Sequence, residues 1–125
     1  NPSVCALAQT QDRRYRPNPP LRNILLFSLG TGTSLQYIKG KSLDWGYLQW
    51  IKPLIDLIFD GTAGIADYQC RQFLGPDYHR LAPVFPPGVK IPMDGVKKIP
   101  EMISFAESLD MESTLRWLKE TWNKE

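Results

Sequence analysis

The stretch "NILLFSLGTGTS", Asn23 to Ser34, constrains the fold more than any other. It is a short, continuous apolar run that breaks into alternating Gly and Thr. Such a run reads as a strand buried on both faces, with a neighbour on either side in the middle of a sheet. Backbone N–H and C=O groups left unpaired in a core cost roughly 1–3 kcal/mol each, so those neighbours must exist. Only one other stretch, "DYHRLAPVF", reads as a short strand, ending at Pro86. The expected class is therefore α/β, mainly helical, with one well-marked buried strand. The partner strands of its sheet are expected outside these residues.

Composition narrows the choice further. At 125 residues the chain is long enough for one domain with a core. Apolar residues make up 42% and charged residues 22%, which is a globular balance. A formal net charge of +2, with "DRRYR" as the only tight basic cluster, argues against a nucleic-acid partner. Eleven prolines gather mainly at residues 16–20 and 76–100 and mark loops. Cys5 and Cys70 belong to no CxxC or Cys/His pair, so no metal site is expected. Each is expected as a packed, reduced thiol, which suits a reducing compartment. No apolar run is long enough to cross a membrane. The N-terminus carries no signal-peptide pattern, and without an initiator Met something is expected to precede it or to have been removed.

Helical periodicity accounts for most of the remainder. Asn1 and Pro2 suit the cap and first position of a helix whose inner face carries Val4, Leu7 and Ala8. A second helix places Leu48, Ile51, Leu54, Ile55 and Ile58 at helical spacing, with Pro53 expected to kink or restart it. Asp60 or Thr62 is expected to cap a further helix with Ala63, Ala66, Cys70, Phe73 and Leu74 on one face, closed by Gly75. Another helix buries Ile99, Met102, Ile103, Ala106 and Leu109. The last, capped by Asp110, buries Met111, Leu115, Leu118 and Trp122.

Six pieces recur in a recognisable order: "NP" opening a helix, "ILLFSLGTGT", the Trp-rich "WIKPLIDL", "DYQCRQFLG", "YHRLAP" and "MDG" before the closing helices. In this combination the chain resembles the C-terminal part of the catalytic domain of patatin-like phospholipases of the bacterial type, over nearly all of residues 1–125. The resemblance implies an α/β fold with a central, mostly parallel sheet. It implies hydrolysis of acyl esters of lipids by a Ser–Asp dyad, with no cofactor. In the family the Ser lies in a GxSxG turn ahead of a helix N-terminus, and the Asp lies in a DGG or DGA motif. The Asp activates the Ser, and amides of a Gly-rich loop stabilise the oxyanion. No GxSxG occurs here, and Asn1-Pro2 matches the end of a segment that follows the catalytic Asp. No catalytic residue is therefore carried over, and the chain alone is expected to be inactive.

Other candidates have plainer explanations. Asp60-Gly61 and Asp94-Gly95 read as caps or turns rather than a dyad motif. "GTGTS" lacks both the GKS/GKT ending of a P-loop and the GxGxxG spacing, and reads as a tight strand exit; the resemblance implies that this end lies on the active-site side of the sheet, with a supporting role in a lipid cleft as the other option. His79, the only histidine, reads as structural. Trp45, Tyr47 and Trp50, with Tyr37 and near Lys39 and Lys41, fit either packing against the sheet or contact with a lipid–water interface, and the helix that follows could shape an acyl channel. "DRRYR" reads as a solvated loop, with anionic headgroups the other option.

Two functional readings follow. In the first, the chain is part of a lipid acyl hydrolase. Its partners are a phospholipid or other acyl-ester substrate, the N-terminal part of the same enzyme and, peripherally, a membrane; its location is cytoplasmic or at the membrane periphery. In the second, it is a non-catalytic binding or assembly module that pairs its open strand with another chain.

Overall fold

The computed structural model describes residues 1–34, 46–89, 91–92 and 95–122. The chain is mixed α/β and mainly helical, with small parallel sheets. It divides into two compact units, Asn1–Leu26 with Gln36–Tyr78, and Phe27–Leu35 with His79–Glu125.

The first unit begins with helix α1, Ser3–Thr10. The Asn1 side chain works at its start as expected, its Oδ1 accepting the Ser3 N–H at 3.2 Å and the Ser3 hydroxyl at 2.6 Å. Ser3 and Leu7 are buried and Val4 is half-buried, while Ala8 is exposed. Cys5 is exposed, contrary to the expected packed thiol, because it lies off the Ser3–Leu7 face; Cys70 is fully buried as expected.

Helix α2, Tyr47–Leu74, is one continuous helix of 28 residues. Neither the expected break at Pro53 nor the expected cap at Asp60 or Thr62 is present. Pro53 is the seventh residue of the helix, inside it, so it loses the hydrogen bond to the Gln49 carbonyl and its ring crowds that carbonyl; the helix nevertheless continues through it without a restart. The Thr62 hydroxyl bonds back to the carbonyls of Ile58 and Phe59 at 2.8 and 3.0 Å, so it serves the helix interior instead of a start. Gly75 closes the helix with φ +54°, and its N–H reaches the Arg71 carbonyl.

The core of this unit is Leu7, Cys70, Leu74 and Tyr78, with Val4, Ile24 and Leu26 packed against it. A polar clasp closes its edge. The Tyr78 hydroxyl donates to Asp67 Oδ1 at 2.9 Å, and Arg71 Nε donates to Asp67 Oδ2 at 3.0 Å. The Arg71 guanidinium also lies 5.6 Å from the Tyr78 ring centre.

The second unit is built on two side-by-side pieces of chain. Strand β1, Leu26–Leu29, pairs with β3, Tyr78–Leu81, and β2, Thr33–Ser34, pairs in parallel with β4, Val84–Phe85. Between the pairs, Gly30 N–H reaches the Leu81 carbonyl at 2.8 Å and Thr33 N–H reaches that of Pro83 at 2.9 Å. Burial along β1 corrects the expectation of a strand covered on both faces. Ser28 is buried, but Leu29 is 69% exposed, and among the described residues β3 is the only neighbour of β1.

Helix α3, Ile99–Glu107, and helix α4, Glu112–Trp117, complete the unit, and a wider turn over Leu118–Trp122 follows. Met111 rather than the expected Asp110 holds the cap position, but Asp110 Oδ1 still accepts the Glu112 N–H at 2.9 Å from one residue further out. Met102, Leu109, Met111 and Leu118 are half-buried as expected, but the rest of each inner face is rotated from expectation. In α3, Met102 and Phe105 turn inward while Ile99, Ile103 and Ala106 are exposed. The Phe85 ring, 4.5 Å from that of Phe105, sets this phase. In α4 the buried residue is Thr114, and Leu115 and Trp122 are exposed. There the partner that decides is a polar one, His79.

Candidate functional site

The exit of β1 leads to a groove. The Gly30–Ser34 backbone must run close against β3 and β4. A Cβ on Gly30 would come 3.2 Å from the Ala82 Cβ. At Gly32, with φ +99°, a Cβ would come 2.6 Å from the Phe85 ring. Glycine is therefore required at Gly32 on two counts, backbone conformation and space. The Gly30 and Thr33 amides are already paired with β3–β4 carbonyls, so they are not free to cradle a phosphate.

Beside this exit lies a half-open groove of about 320 Å³. Its lining comes from Leu29, Gly30 and Thr31 at the β1 exit, Leu81, Pro83 and Phe85 along β3–β4, Met102, Phe105 and Ala106 of α3, and Leu109 and Met111 after it. Every side chain named is apolar except Thr31. The volume sits at the low end of the range of about 300–1,000 Å³ for small-molecule sites. A slot without charge and with two flexible thioethers suits a hydrocarbon chain far better than an ion or a sugar. A second hollow of about 360 Å³, lined by Phe27, Leu118, Lys119 and Trp122, lies largely open to solvent and excludes little water.

His79 has a structural environment. Its ring stacks 5.3 Å from Trp117 and 6.0 Å from Phe27, and Nε2 meets the Thr114 hydroxyl at 3.0 Å. Thr114 is 1% exposed, so this pair cannot reach a substrate as nucleophile and base. In the neighbouring position, Arg80 donates to the buried Ser28 hydroxyl at 3.3 Å. No group of three or more His, Cys, Asp or Glu could hold a metal among the described residues.

The remaining sequence candidates lie elsewhere. Tyr47 and Trp50 occupy the first turn of α2 in the other unit, 94% and 42% exposed, so Tyr47 does not pack as core. Trp45, Tyr37, Lys39, Lys41 and Asp94 lie outside the described residues. Asp60 is an exposed mid-helix residue. The apolar face of α2 lines neither hollow; the groove takes its helical wall from α3. In "DRRYR", Arg14 bonds the half-buried Asp12 in a fork at 2.6–3.1 Å and holds its carboxyl below the ordinary range. The Asn18 side chain ties together the carbonyls of Thr10, Asp12 and Tyr15, which fits the solvated-loop reading.

Comparison of the chain with protein-family models, with curated proteins and with solved structures finds no match. The residues of "DYQCRQFLG" and "YHRL" are explained by packing. Asp67, Cys70, Arg71, Leu74, Gly75 and Tyr78 build the core, clasp and helix stop of the first unit, and His79 and Arg80 hold the second. The groove residue missed in sequence was Phe105. Its signal was an aromatic one turn from Met102 with a second aromatic, Phe85, closing a strand.

Proposed function

We propose that this chain forms part of a patatin-like lipid acyl hydrolase and contributes the slot for the acyl chain. The observation that carries the reading is the apolar groove beside Gly30 and Thr31, at the exit of the "SLGTGT" strand. In such an enzyme that exit lies on the active-site side of the sheet. A Ser would attack the ester carbonyl, the acyl-enzyme would form, and water activated by the Asp would release the fatty acid. No residue here matches either group, so both belong to a segment other than these 125 residues. This chain would hold the hydrocarbon tail between Phe85, Met102 and Phe105 and keep water from it.

The test is saturable binding of a medium-chain fatty acid to the full chain, read by calorimetry. Met102→Trp fills the slot and should abolish binding while leaving the far-UV circular dichroism unchanged. The chain alone should stay unlabelled by a fluorophosphonate probe and inert toward a p-nitrophenyl ester. Absence of saturable binding, or binding untouched by Met102→Trp, removes the reading.

A further inference from the structure

Helix α2 carries two apolar faces, and only one contributes to the buried core among the described residues. Ala66, Cys70 and Leu74 face the core of the first unit. On another side of the helix, Ile51, Leu54, Ile58, Gly61, Ile65 and Tyr68 follow one another at alternating spacings of three and four residues. Tyr47 extends the same series by one step. This is a heptad seam, with a period of 3.5. Every member is exposed, the large side chains between 47% for Leu54 and 94% for Tyr47. In heptad terms Ile51, Ile58 and Ile65 are the a positions, and Tyr47, Leu54, Gly61 and Tyr68 the d positions.

From this seam we infer that a second copy of this chain docks along α2, the two helices pairing in parallel. Ile fills every a position, the β-branched choice found at a in two-stranded parallel pairs, while the d row is Tyr47, Leu54, Gly61 and Tyr68. Charge selects the same occupant. From Tyr47 to Ile65 neither the seam nor the flanking e and g positions, Leu48, Ile55, Thr62, Trp50, Leu57 and Gly64, carry a charged residue. Two identical faces therefore meet with no like charges opposed, whereas recognition of a different helix generally uses e and g charges. The size is sufficient. At these exposures the seam and flanks offer on the order of 1,000 Å² of apolar surface, against about 800 Å² per partner in a standard stable interface. Pairing would be isologous and would leave the Cys70 face on its own core. It uses the helix face instead of the open strand edge, and it does not depend on the acyl-hydrolase reading.

The experiment is sedimentation equilibrium of the full chain at micromolar concentration. A dimer is expected. Ile58→Glu places a charge in the seam and should weaken association by roughly 100-fold. Phe59→Glu changes an equally exposed apolar residue off the seam and should leave it within about threefold. In a Cys5→Ser background, Leu54→Cys should cross-link copy to copy on oxidation, because parallel pairing puts equivalent d positions opposite each other. A monomer at every concentration overturns the inference. So does equal weakening by Ile58→Glu and Phe59→Glu, which would mark a merely greasy surface, or association seen only with phosphatidylcholine vesicles, which would make lipid the occupant. A dimer whose Leu54→Cys form does not cross-link overturns the parallel pairing. Circular dichroism on each variant separates lost pairing from lost folding.

Discussion

The two halves of α2 differ in a way that hydrophobicity alone would invert. The first half, Tyr47 to Asp60, is the more apolar, yet its Leu, Ile and Phe residues are 47–86% exposed. The second half, Gly61 to Leu74, is more polar, yet it supplies Ala66, Cys70 and Leu74 to the core and Asp67 and Arg71 to the clasp on Tyr78. Density of apolar residues does not decide which turn of a helix anchors a fold. What decides is whether a surface of matching shape exists opposite it. For the second half that surface is α1 and Tyr78. In the first half, Leu48, Ile51, Leu54, Ile55, Leu57, Ile58 and Phe59 join no buried core cluster among the described residues.

The sharpest way to break this comparison is to truncate a residue in each half. Leu74→Ala should cost about 2–5 kcal/mol in urea unfolding, since Leu74 is 6% exposed inside the first unit's core. A cost under about 1 kcal/mol would mean that the anchor lies elsewhere. Tyr78→Phe tests the clasp. It keeps the ring against Arg71 and removes the 2.9 Å hydrogen bond to Asp67. A loss of about 1–2 kcal/mol is expected, below the range for a fully buried charged bond because Asp67 keeps Arg71 and some solvent contact. Arg71→Lys, which retains charge but neither the Nε–H bond to Asp67 nor the flat guanidinium over the Tyr78 ring, should reproduce part of that loss.

Glycines sharpen the contrast from the other side. Gly64 sits in an exposed turn of α2, where a Cβ would meet nothing within 4 Å, and its helical backbone suits any L-residue. Gly64→Ala should raise stability in thermal unfolding by about 0.5–1 kcal/mol. Gly32→Ala should do the reverse by about 1–3 kcal/mol, because at φ +99° its new methyl would run into Phe85. The same substitution thus changes sign between an open helix and the groove's strand exit.

Much of this was legible in the sequence where a residue's own chemistry decides the outcome. Gly75 stops a helix through its backbone, Asp110 and Asn1 accept N–H groups through short side chains, and Cys70 sits in a core. The exit glycines of "GTGTS" were legible as a tight turn, and the groove beside them followed only once Phe85 and Phe105 were seen to meet. What was not legible depends on a distant partner. Thr114 is buried because His79 lies opposite, and that pairing spans 35 residues. The inner faces of α3 and α4 rotate for similar reasons. The unbroken course of α2 through Pro53 was not legible because an interior proline costs a hydrogen bond and crowds the i−4 carbonyl, and nothing local shows that the turns on either side carry the helix through it. In α2 itself, two apolar faces compete, and periodicity cannot say which one meets the chain's own core.

The smallest expected effect bears most directly on that last point. Phe59 is 60% exposed, so Phe59→Ala should shift unfolding by no more than about 0.5 kcal/mol. Phenylalanine truncated in a well-packed core costs about 3–5 kcal/mol, and the two outcomes are well separated. A small shift at every protein concentration leaves the first half of α2 outside the core, as its exposure indicates. A large shift that persists on dilution would mean that the chain covers this face after all, and the contrast between the halves would fail. A large shift confined to high concentration would instead place Phe59 in contact with another copy and widen the seam beyond its a and d positions. Unfolding measured across a concentration series distinguishes all three, because only an intermolecular contact obeys mass action.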